Sequence, residues 1–418
     1  MSTDIKFNQM RSFKAIIYTV SVLVLSSCSD EEPSLTESFF KIYDDSNFDL
    51  NYDPIDMVEI TDGYIILTGT EQDVSNFKGV QMIRIDEEGN FVRSEENAFD
   101  GFEAPTGDLY FDDSDSSIYF LAKVSNLTDA VLIGIDPSLQ IQSTSPPLGI
   151  GYPLSASPLT NGNMLIQSYD PVNLQTEIAE ISPDGGSQGG GQFSIGAGNN
   201  NNLESLVVNH FTTNDESPIP FFCGENAGGY YFNGFSEFSL SMVFTDAGFN
   251  QTGVVQGQPI NDVLSFNPIN AGMRSVMPLG GSNFAVSGFQ FDESYQLSNT
   301  ALSTNGTTSS ADLYPGNMAE LRPYSNSKIF SYSTLGESYS VFASETKGNQ
   351  IVLHFYNTAS GEIEGVHYIG FLNRFNLASV KVTQDESILV LGTTFVAGRF
   401  ERIFLNKISK GEIDGILN

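Results

Sequence analysis

The chain has 418 residues, with 51 acidic and 18 basic side chains and a formal net charge of −33 at pH 7. Such an acidic chain repels phosphate backbones and anionic headgroups, so we expect no nucleic-acid partner. Hydrophobic residues make up 40% of the chain, with 32 Phe and few charged residues, which favours a large core built from β-structure.

The first 27 residues are predicted to be a signal peptide. Lys6, Arg11 and Lys14 give a basic start, and the uncharged apolar run Ala15–Leu25 follows. In a helix, this run would span only about 17 Å, against about 30 Å of bilayer hydrocarbon. The segment is therefore typical of an export signal and not of a transmembrane helix.

A cysteine stands where the apolar run ends. The tetrad Leu25-Ser26-Ser27-Cys28 resembles the bacterial lipobox, which implies cleavage before Cys28 and a diacylglyceryl group on its thiol. An ordinary secretory signal with an incidental cysteine is the alternative. Each buried CH₂ of an acyl chain contributes about 0.8 kcal/mol to membrane binding. Membrane lipid is therefore the predicted partner at Cys28. No other cofactor is expected.

Residues 28–50 are predicted to be an acidic tether. Ser29, Asp30, Glu31 and Glu32 resemble the export signal that follows the lipidated cysteine in surface lipoproteins of Bacteroidota. The resemblance implies a protein held in the outer membrane and facing outwards; a solvated acidic linker is the alternative. With Cys28 acylated, Cys223 has no partner for a disulfide.

Residues 51–418 are predicted to form one domain that begins with a four-strand unit. Four short apolar runs are separated by turns such as Asp62-Gly63; the runs are Met57–Ile60, Tyr64–Gly69, Val80–Asp86 and Phe91–Arg93. Short runs of this kind with Gly and Asn in the turns predict an antiparallel unit.

The same order recurs along the chain. The second strand is expected at residues 118–121, 164–166, 230–232, 284–286, 339–342 and 388–391. The turn after the third strand is expected at residues 136–138, 183–185, 246–248, 304–306, 359–361 and 409–411. Four-strand units that repeat every 50 or so residues are typical of propeller blades.

The repeat, Asp-Gly and a hydrophobic strand followed by Ile-Asp-x-x-Gly-Asn, resembles those of many bacterial secreted β-propellers. We therefore predict an all-β fold, a β-propeller of about seven four-stranded blades. Six or eight blades remain open, because residues 328–332 also fit the second strand of the sixth unit. Tandem β-sandwiches are the competing fold, although they do not require one repeated strand order. In the last unit, Gly411–Leu417 are expected as the fourth strand, and Phe39–Tyr43 as an added edge strand.

The histidines give no catalytic or metal-binding pattern. The chain has three, His210, His354 and His367, and none has a second ligand at metal spacing. His354 lies in an alternating strand, which indicates a structural role. No nucleophile elbow or phosphate-binding loop is present, so no catalytic residue is predicted.

Two loops are candidates for contacts. Asp112, Asp113 and Asp115 could collect Ca²⁺, but the loop lacks the glycine and distal Glu of an EF-hand, and a solvated hairpin turn is expected instead. Residues 185–202, rich in Gly and Asn, form either a flexible loop or an adaptable contact surface.

These features predict a non-enzymatic, surface-anchored propeller lipoprotein. It would act as a binding or scaffolding subunit of an outer-membrane complex for nutrient uptake or outer-membrane assembly, with other outer-membrane proteins as partners. A glycan- or peptide-binding module is the first alternative; the absence of Trp weakens glycan stacking, whereas the 17 Tyr keep it open. A glycan-acting lyase or hydrolase is the second.

Overall fold

The computed structural model describes residues 37–43, 52–71, 77–112, 116–125, 127, 129–193, 207, 220–236, 239–257, 271–291, 293–396 and 400–418. Cys28, residues 29–32 and the remainder of the predicted signal and anchor lie outside this part of the chain. Across the described ranges the structure contains no helix with the length and apolar character needed to cross a bilayer.

Most strands follow one another as antiparallel meanders, in which each strand pairs with the next. The first eight of these strands are β2 (Tyr52–Ile60), β3 (Gly63–Thr70), β4 (Gly79–Ile85), β5 (Phe91–Glu95), β6 (Phe102–Asp112), β7 (Ser117–Val124), β8 (Ala130–Ile135) and β9 (Ile141–Thr144). The next eight are β10 (Pro153–Pro158), β11 (Met164–Asp170), β12 (Gln175–Ile181), β13 (Ser187–Phe193), β14 (Cys223–Asn226), β15 (Gly229–Ser236), β16 (Ser239–Asp246) and β17 (Gln251–Gln256).

The second half continues in the same way. It contains β18 (Ala271–Gly280), β19 (Asn283–Gln290), β20 (Glu293–Ala301), β21 (Thr307–Ser309), β22 (Ser327–Thr334), β23 (Glu337–Glu345), β24 (Ile351–Asn357) and β25 (Ile363–Ile369). The chain then forms β26 (Phe375–Val382), β27 (Ile388–Val396), β28 (Phe400–Ile408) and the helix α1 (Lys410–Leu417), and β1 (Phe39–Tyr43) precedes them all.

The core lies between the faces of neighbouring sheets. In β3, Tyr64 and Ile66 belong to one apolar cluster with Leu389 of β27, whereas Ile65 belongs to another with Phe120 of β7. Successive side chains of a strand point to opposite faces, so this uninterrupted apolar run is buried on both sides. Sheets that are covered on both faces and stacked around a ring form a β-propeller. The all-β propeller prediction is confirmed, and tandem sandwiches, with one open face on each sheet, are excluded.

The predicted count of about seven separate four-stranded blades is wrong. The described strands form six hydrogen-bonded sheets, of which five contain four or more strands and one contains three. A backbone pair between Gly79 and Glu103 joins β4 to β6 and produces one sheet of eight strands. In addition, β21 pairs in parallel with β17 and leaves β18, β19 and β20 as a three-stranded sheet. A sequence repeat predicts strand order, but not which strand edges bond to each other.

The start of the propeller completes its last sheet. β1 pairs antiparallel with β28, from Phe39 opposite Lys407 to Tyr43 opposite Ile403. Phe40 stacks on Phe404 with 5.8 Å between ring centroids. The predicted added strand at Phe39–Tyr43 is thus present, inside the range that was predicted as tether.

The predicted fourth strand at Gly411–Leu417 is wrong, because Lys410–Leu417 form a helix. The Ser409 side chain caps this helix by accepting a hydrogen bond from the Glu412 N–H at 3.4 Å. Ser and Glu at this spacing are the sequence signature of a capping box, although here the Ser409 N–H donates to the Ser38 hydroxyl at 2.9 Å. Ile413 is buried in the core cluster that contains Phe355 and Phe404. The capping signal was present in the sequence and outweighs the expected repeat.

Side-chain caps hold the turns between third and fourth strands. The carboxylates of Asp86, Asp136 and Asp246 each accept a hydrogen bond from the backbone N–H four residues later, at 2.6, 3.0 and 2.9 Å. In these turns, the Asp carboxylate accepts a hydrogen bond from a backbone N–H that has no partner in a neighbouring strand. The Ile-Asp-x-x-Gly-Asn repeat is therefore a turn signature.

Alternation of strand direction gives the propeller two different ends. The first strand of each meander (β2, β6, β10, β14, β18, β22 and β26) begins at what we call the upper face, which also carries the connections from one meander to the next and the turns between second and third strands. The capped turns lie at the opposite end, the lower face. The predicted Gly/Asn-rich loop is a strand at Ser187–Phe193, and its residues 194–202 lie outside the described ranges.

Candidate functional site

The first strands of the meanders surround a central channel. Its cavity has a volume of about 440 Å³ and is lined by β2, β6, β10, β18, β22 and β26 and by residues 220–223 at the start of β14. β26 contacts β2, which closes the ring. The lining residues come mostly from the first part of each strand, so the cavity lies towards the upper face. Its size is typical of sites for small ligands.

One side of the channel wall carries paired charges. The buried Asp56 accepts hydrogen bonds from the Ser379 hydroxyl and from the Leu109 N–H at 2.8 Å, and Lys381 Nζ lies 2.9 Å from its carboxylate. Burial raises the pKa of Asp56, and Lys381 only partly opposes this effect. Burial also disfavours the Lys381 ammonium, yet Asp108 and Asp56 hold the pKa of Lys381 above its usual range. Asp56 thus connects β2, β6 and β26.

A second bridge connects the neighbouring strands. Glu345, at the end of β23, accepts a hydrogen bond from the Leu377 N–H of β26 at 2.8 Å and forms an ion pair with Arg322. The Asn326 side chain donates to the Leu377 carbonyl at 2.6 Å. Burial raises the pKa of Glu345 despite the opposing effect of Arg322. Both carboxylates are therefore engaged in holding adjacent strands together.

The other side of the wall carries cations without a carboxylate partner. Arg274 of β18 donates from Nη2 to the Tyr324 carbonyl at 2.8 Å, and its guanidinium carbon lies 5.6 Å from the Phe289 ring centroid. Its Nε is buried without a hydrogen-bond partner. Burial lowers the pKa of Arg274 to about 10, so the side chain stays cationic at neutral pH. Lys328 of β22 is exposed, and neither cation forms an ion pair within the described ranges.

The one cysteine on the wall is unreactive. Cys223 is buried and free, and its thiol donates to the Leu165 carbonyl at 3.4 Å. Burial raises the pKa of this thiol to about 12. The thiol is therefore protonated at neutral pH and is a poor nucleophile.

His354 lies outside the channel, on β24. Its ring nitrogens lie 3.0 Å from Gln296 Oε1 and 2.9 Å from Glu320 Oε1, which connects two neighbouring sheets. Burial lowers its pKa. This geometry agrees with the structural role inferred from the alternating pattern.

The predicted calcium candidates are only partly described. Asp112 is the last residue of β6 and pairs in register with Ser117 of β7, so the segment is a hairpin connection. Asp113 and Asp115 lie outside the described ranges. Among the described residues, no three His, Cys, Asp or Glu side chains are grouped for metal binding. The solvated turn stays the prediction for this segment, with calcium as the weaker alternative.

Sequence reasoning missed the channel-lining residues Arg274 and Lys381 and the buried carboxylates Asp56 and Glu345, which bond to strands of the channel wall. A signal was available for two of them, because Asp56 stands between Ile55 and Met57, and Lys381 between two valines. A lone charge inside an apolar first strand is costly unless it has a partner. Such a position therefore indicates either a bridge or a binding group.

Apolar side chains surround the channel on the upper face. Phe371 and Leu372, in the connection between β25 and β26, are 77% and 84% exposed. Others stand on or beside turns between second and third strands, namely Leu127, Val172, Phe291 and Val396. The adjacent pair Phe371 and Leu372 forms a small exposed apolar patch, which is typical of surfaces that contact a partner.

No protein family and no curated protein matches this sequence. Among solved structures, the chain is similar to the β-propeller domain of the trilobed protease of Pyrococcus furiosus, which has an open velcro topology; identity is 9%, the TM-score is 0.43, and 85% of this chain and 95% of that chain are covered. It is also similar to virginiamycin B lyase of Staphylococcus aureus, at 12% identity and a TM-score of 0.44, covering 89% and 100%. Pyrococcus horikoshii acylaminoacyl peptidase matches at 10% identity and a TM-score of 0.44, covering 89% of this chain and 51% of that chain. Likeness at this level carries no conclusion about activity.

Proposed function

We propose that the protein is a non-enzymatic lipoprotein of the bacterial outer membrane whose upper face binds a partner protein at the cell surface. The observation that supports this most is the place where the chain joins the propeller. β28 runs from the upper to the lower face, and β1 is antiparallel to it, so Phe39 lies at the lower face. There the Ser38 hydroxyl donates to Glu412 at 2.8 Å, beside α1.

This direction supports an orientation with the lower face towards the membrane. From Cys28 to Glu37, nine residues span at most about 30 Å. A lipid on Cys28 therefore holds the lower face towards the bilayer, and the upper face, with Phe371, Leu372 and the channel, is directed away. A contact surface in that position suits another outer-membrane protein, as in a nutrient-uptake or assembly complex.

The pairing of carboxylates supports a binding role over a glycan-acting lyase or hydrolase. Glycosidases generally use two free carboxyl groups. On the channel wall, Asp53 pairs with Lys78 at 2.8 Å and Asp56 pairs with Lys381. The remaining carboxylate among the described residues of the channel wall is Asp108, which interacts electrostatically with Lys381.

Co-purification tests the partner. The full chain is extracted from native membranes in mild detergent, and the proteins that accompany it are identified. We expect a partner with the wild type, and at least ten-fold less of it when Phe371→Ser and Leu372→Ser are combined. Leu335→Ser is the matched control, because Leu335 is a 54% exposed leucine at positive φ on the lower face. A wild type that purifies alone, or equal losses in both variants, contradicts the proposal.

Fractionation tests the anchor. Cys28→Ala should move the protein from the membrane pellet to the soluble fraction, because it removes the acylated thiol. Cys223→Ala, the control, removes a buried thiol and should stay in the pellet. Protease treatment of intact cells should degrade the wild type and spare a variant in which Asp30, Glu31 and Glu32 are replaced by their amides. A soluble wild type rejects lipidation, and an equally protected wild type rejects surface export.

A further inference from the structure

The channel has an uneven charge that the proposed binding role does not explain. The whole chain carries 51 acidic and 18 basic residues. Even so, the wall formed by β18 and β22 presents Arg274 and Lys328, which form no ion pair within the described ranges; Glu345 favours the charged form of Arg274 electrostatically but forms its ion pair with Arg322. Neighbouring cations such as Lys381 and Arg322 are paired. A cation left unpaired in a strongly acidic protein is a binding group for an anion from outside.

Arg274 is the better ordered of the two cations that line the cavity. Its guanidinium lies beside Phe289 and is held by the Tyr324 carbonyl, so it is oriented before any ligand arrives. A planar guanidinium held in this way suits the two oxygens of a carboxylate.

The charges on the opposite wall of the channel limit which other charged groups the ligand can have. Asp108 lies on β6, which is separated from β18 and β22 by β10 and β14 on one side and by β2 and β26 on the other. Asp53 is paired with Lys78 and Asp56 with Lys381, so Asp108 gives this wall one negative charge in excess, which disfavours a second negative charge on the ligand and favours an ammonium group. The cavity, at about 440 Å³, is large enough for a short peptide.

We propose that the channel binds a small zwitterion, such as a short peptide with free ends, with its carboxylate at Arg274 and Lys328 and its ammonium at Asp108. This rests on the proposed non-enzymatic binding role and names its ligand class. A ligand with several phosphates or carboxylates is disfavoured by the acidic wall and by the net charge.

Calorimetric titration of the full-length protein in detergent tests the ligand class. The probes are trialanine, trialanine amide, N-acetyl-trialanine and inorganic phosphate. We expect trialanine to bind, and the amide and the N-acetyl form each to bind at least ten-fold more weakly, because each lacks one charged end. Phosphate should not compete with trialanine. Absence of trialanine binding, equal binding of either capped peptide, or competition by phosphate overturns the zwitterion site.

Variants locate the site. Lys328→Gln should weaken the binding of trialanine at least ten-fold without changing the weak binding of trialanine amide. The fold should stay intact, because Lys328 is exposed. Arg274→Lys should also weaken binding, and Lys410→Gln on the lower face is the control with unchanged affinity. Normal trialanine binding by Lys328→Gln overturns the assignment. Co-purification of the partner with Lys328→Gln separates the two proposals, since the apolar surface at Phe371 and Leu372 is untouched.

Discussion

The two ends of the propeller differ in how their polar groups are used. On the lower face, turns are closed by their own side chains, as at Asp86 and Asp246, and Lys407 lies 2.7 Å from Asp385. Towards the upper face, Arg274 and Lys328 line the channel and form no ion pair within the described ranges, and apolar side chains such as Leu372 are exposed. The same repeat unit therefore supplies stabilising contacts at the lower face and exposed groups at the upper face. The lower face carries the short turns, whereas the upper face carries connections of varied length.

Removal of β1 should have the largest effect on stability. A chain that begins at residue 44 loses the five backbone pairs with β28 and the contacts of Phe39 and Phe40. Phe39 is partly buried and Phe40 is 42% exposed, so the two side chains contribute about 2–3 kcal/mol together. Urea unfolding should show a loss of this size, and the open edge of β28 should promote aggregation.

A chain that begins at residue 37 is the control for this truncation. It lacks the predicted signal peptide and the first part of the predicted tether but keeps β1, and its unfolding free energy should equal that of the longer chain. If both truncations unfold alike, β1 does not close the ring and the lower face is not the stabilising end.

Asp385→Asn should have an intermediate effect that depends on pH. Partial burial opposes ionisation, but hydrogen bonds from Lys407, Thr383 and Ser387 hold the pKa of Asp385 well below its usual range. A hydrogen bond to a charged group contributes about 2 kcal/mol, and we expect a loss of this size at pH 7. A carboxyl with a lowered folded-state pKa stabilises above its unfolded pKa, near 4, and loses this contribution as pH falls towards the folded value.

Urea midpoints at pH 7, 5, 4 and 3 measure this dependence. The difference between wild type and Asp385→Asn should be constant from pH 7 to 5 and should shrink below pH 4. Glu386→Gln is the control, because its exposed pair with Lys410 contributes little. A difference that does not change with pH would show that the carboxylate charge is not what stabilises the lower face.

The smallest effect on stability is expected on the upper face. Phe371→Ser with Leu372→Ser should change the unfolding free energy by no more than about 0.5 kcal/mol, because both side chains are largely exposed. Thermal unfolding of the purified variant checks this. A loss comparable with that of Asp385→Asn would mean that these residues stabilise the fold, and the division between the two faces would fail.

Much of the strand order follows from the sequence. Uninterrupted apolar runs such as Tyr64–Leu67 and Ile388–Leu391 mark strands buried on both faces, and the Asp-capped turns mark the lower face. The sequence patterns that predict these strands and turns are local, since apolar periodicity and turn-forming residues act over a few positions. This is why the first and last units could be read almost strand by strand.

Other features depend on contacts between distant residues. The pair of Gly79 with Glu103, which merges two meanders into one sheet, leaves no local pattern. The channel is also non-local, because Asp56 and Lys381 are far apart in the chain and meet only when the ring closes. The helix at Lys410–Leu417 was missed for another reason: expectation of a repeat was placed above the local capping signal.

The direction of β1 decides how the propeller responds to force. A pull between the cell envelope and a partner on the upper face enters the fold at Phe39 and runs along the axis of β1. All five of its backbone pairs with β28 are then loaded together in shear, whereas a pull from the other end of β1 would open them one after another. If the chain is anchored as proposed, β1 therefore resists a pull on the residues before Phe39 in shear, and its pairing with β28 is kept.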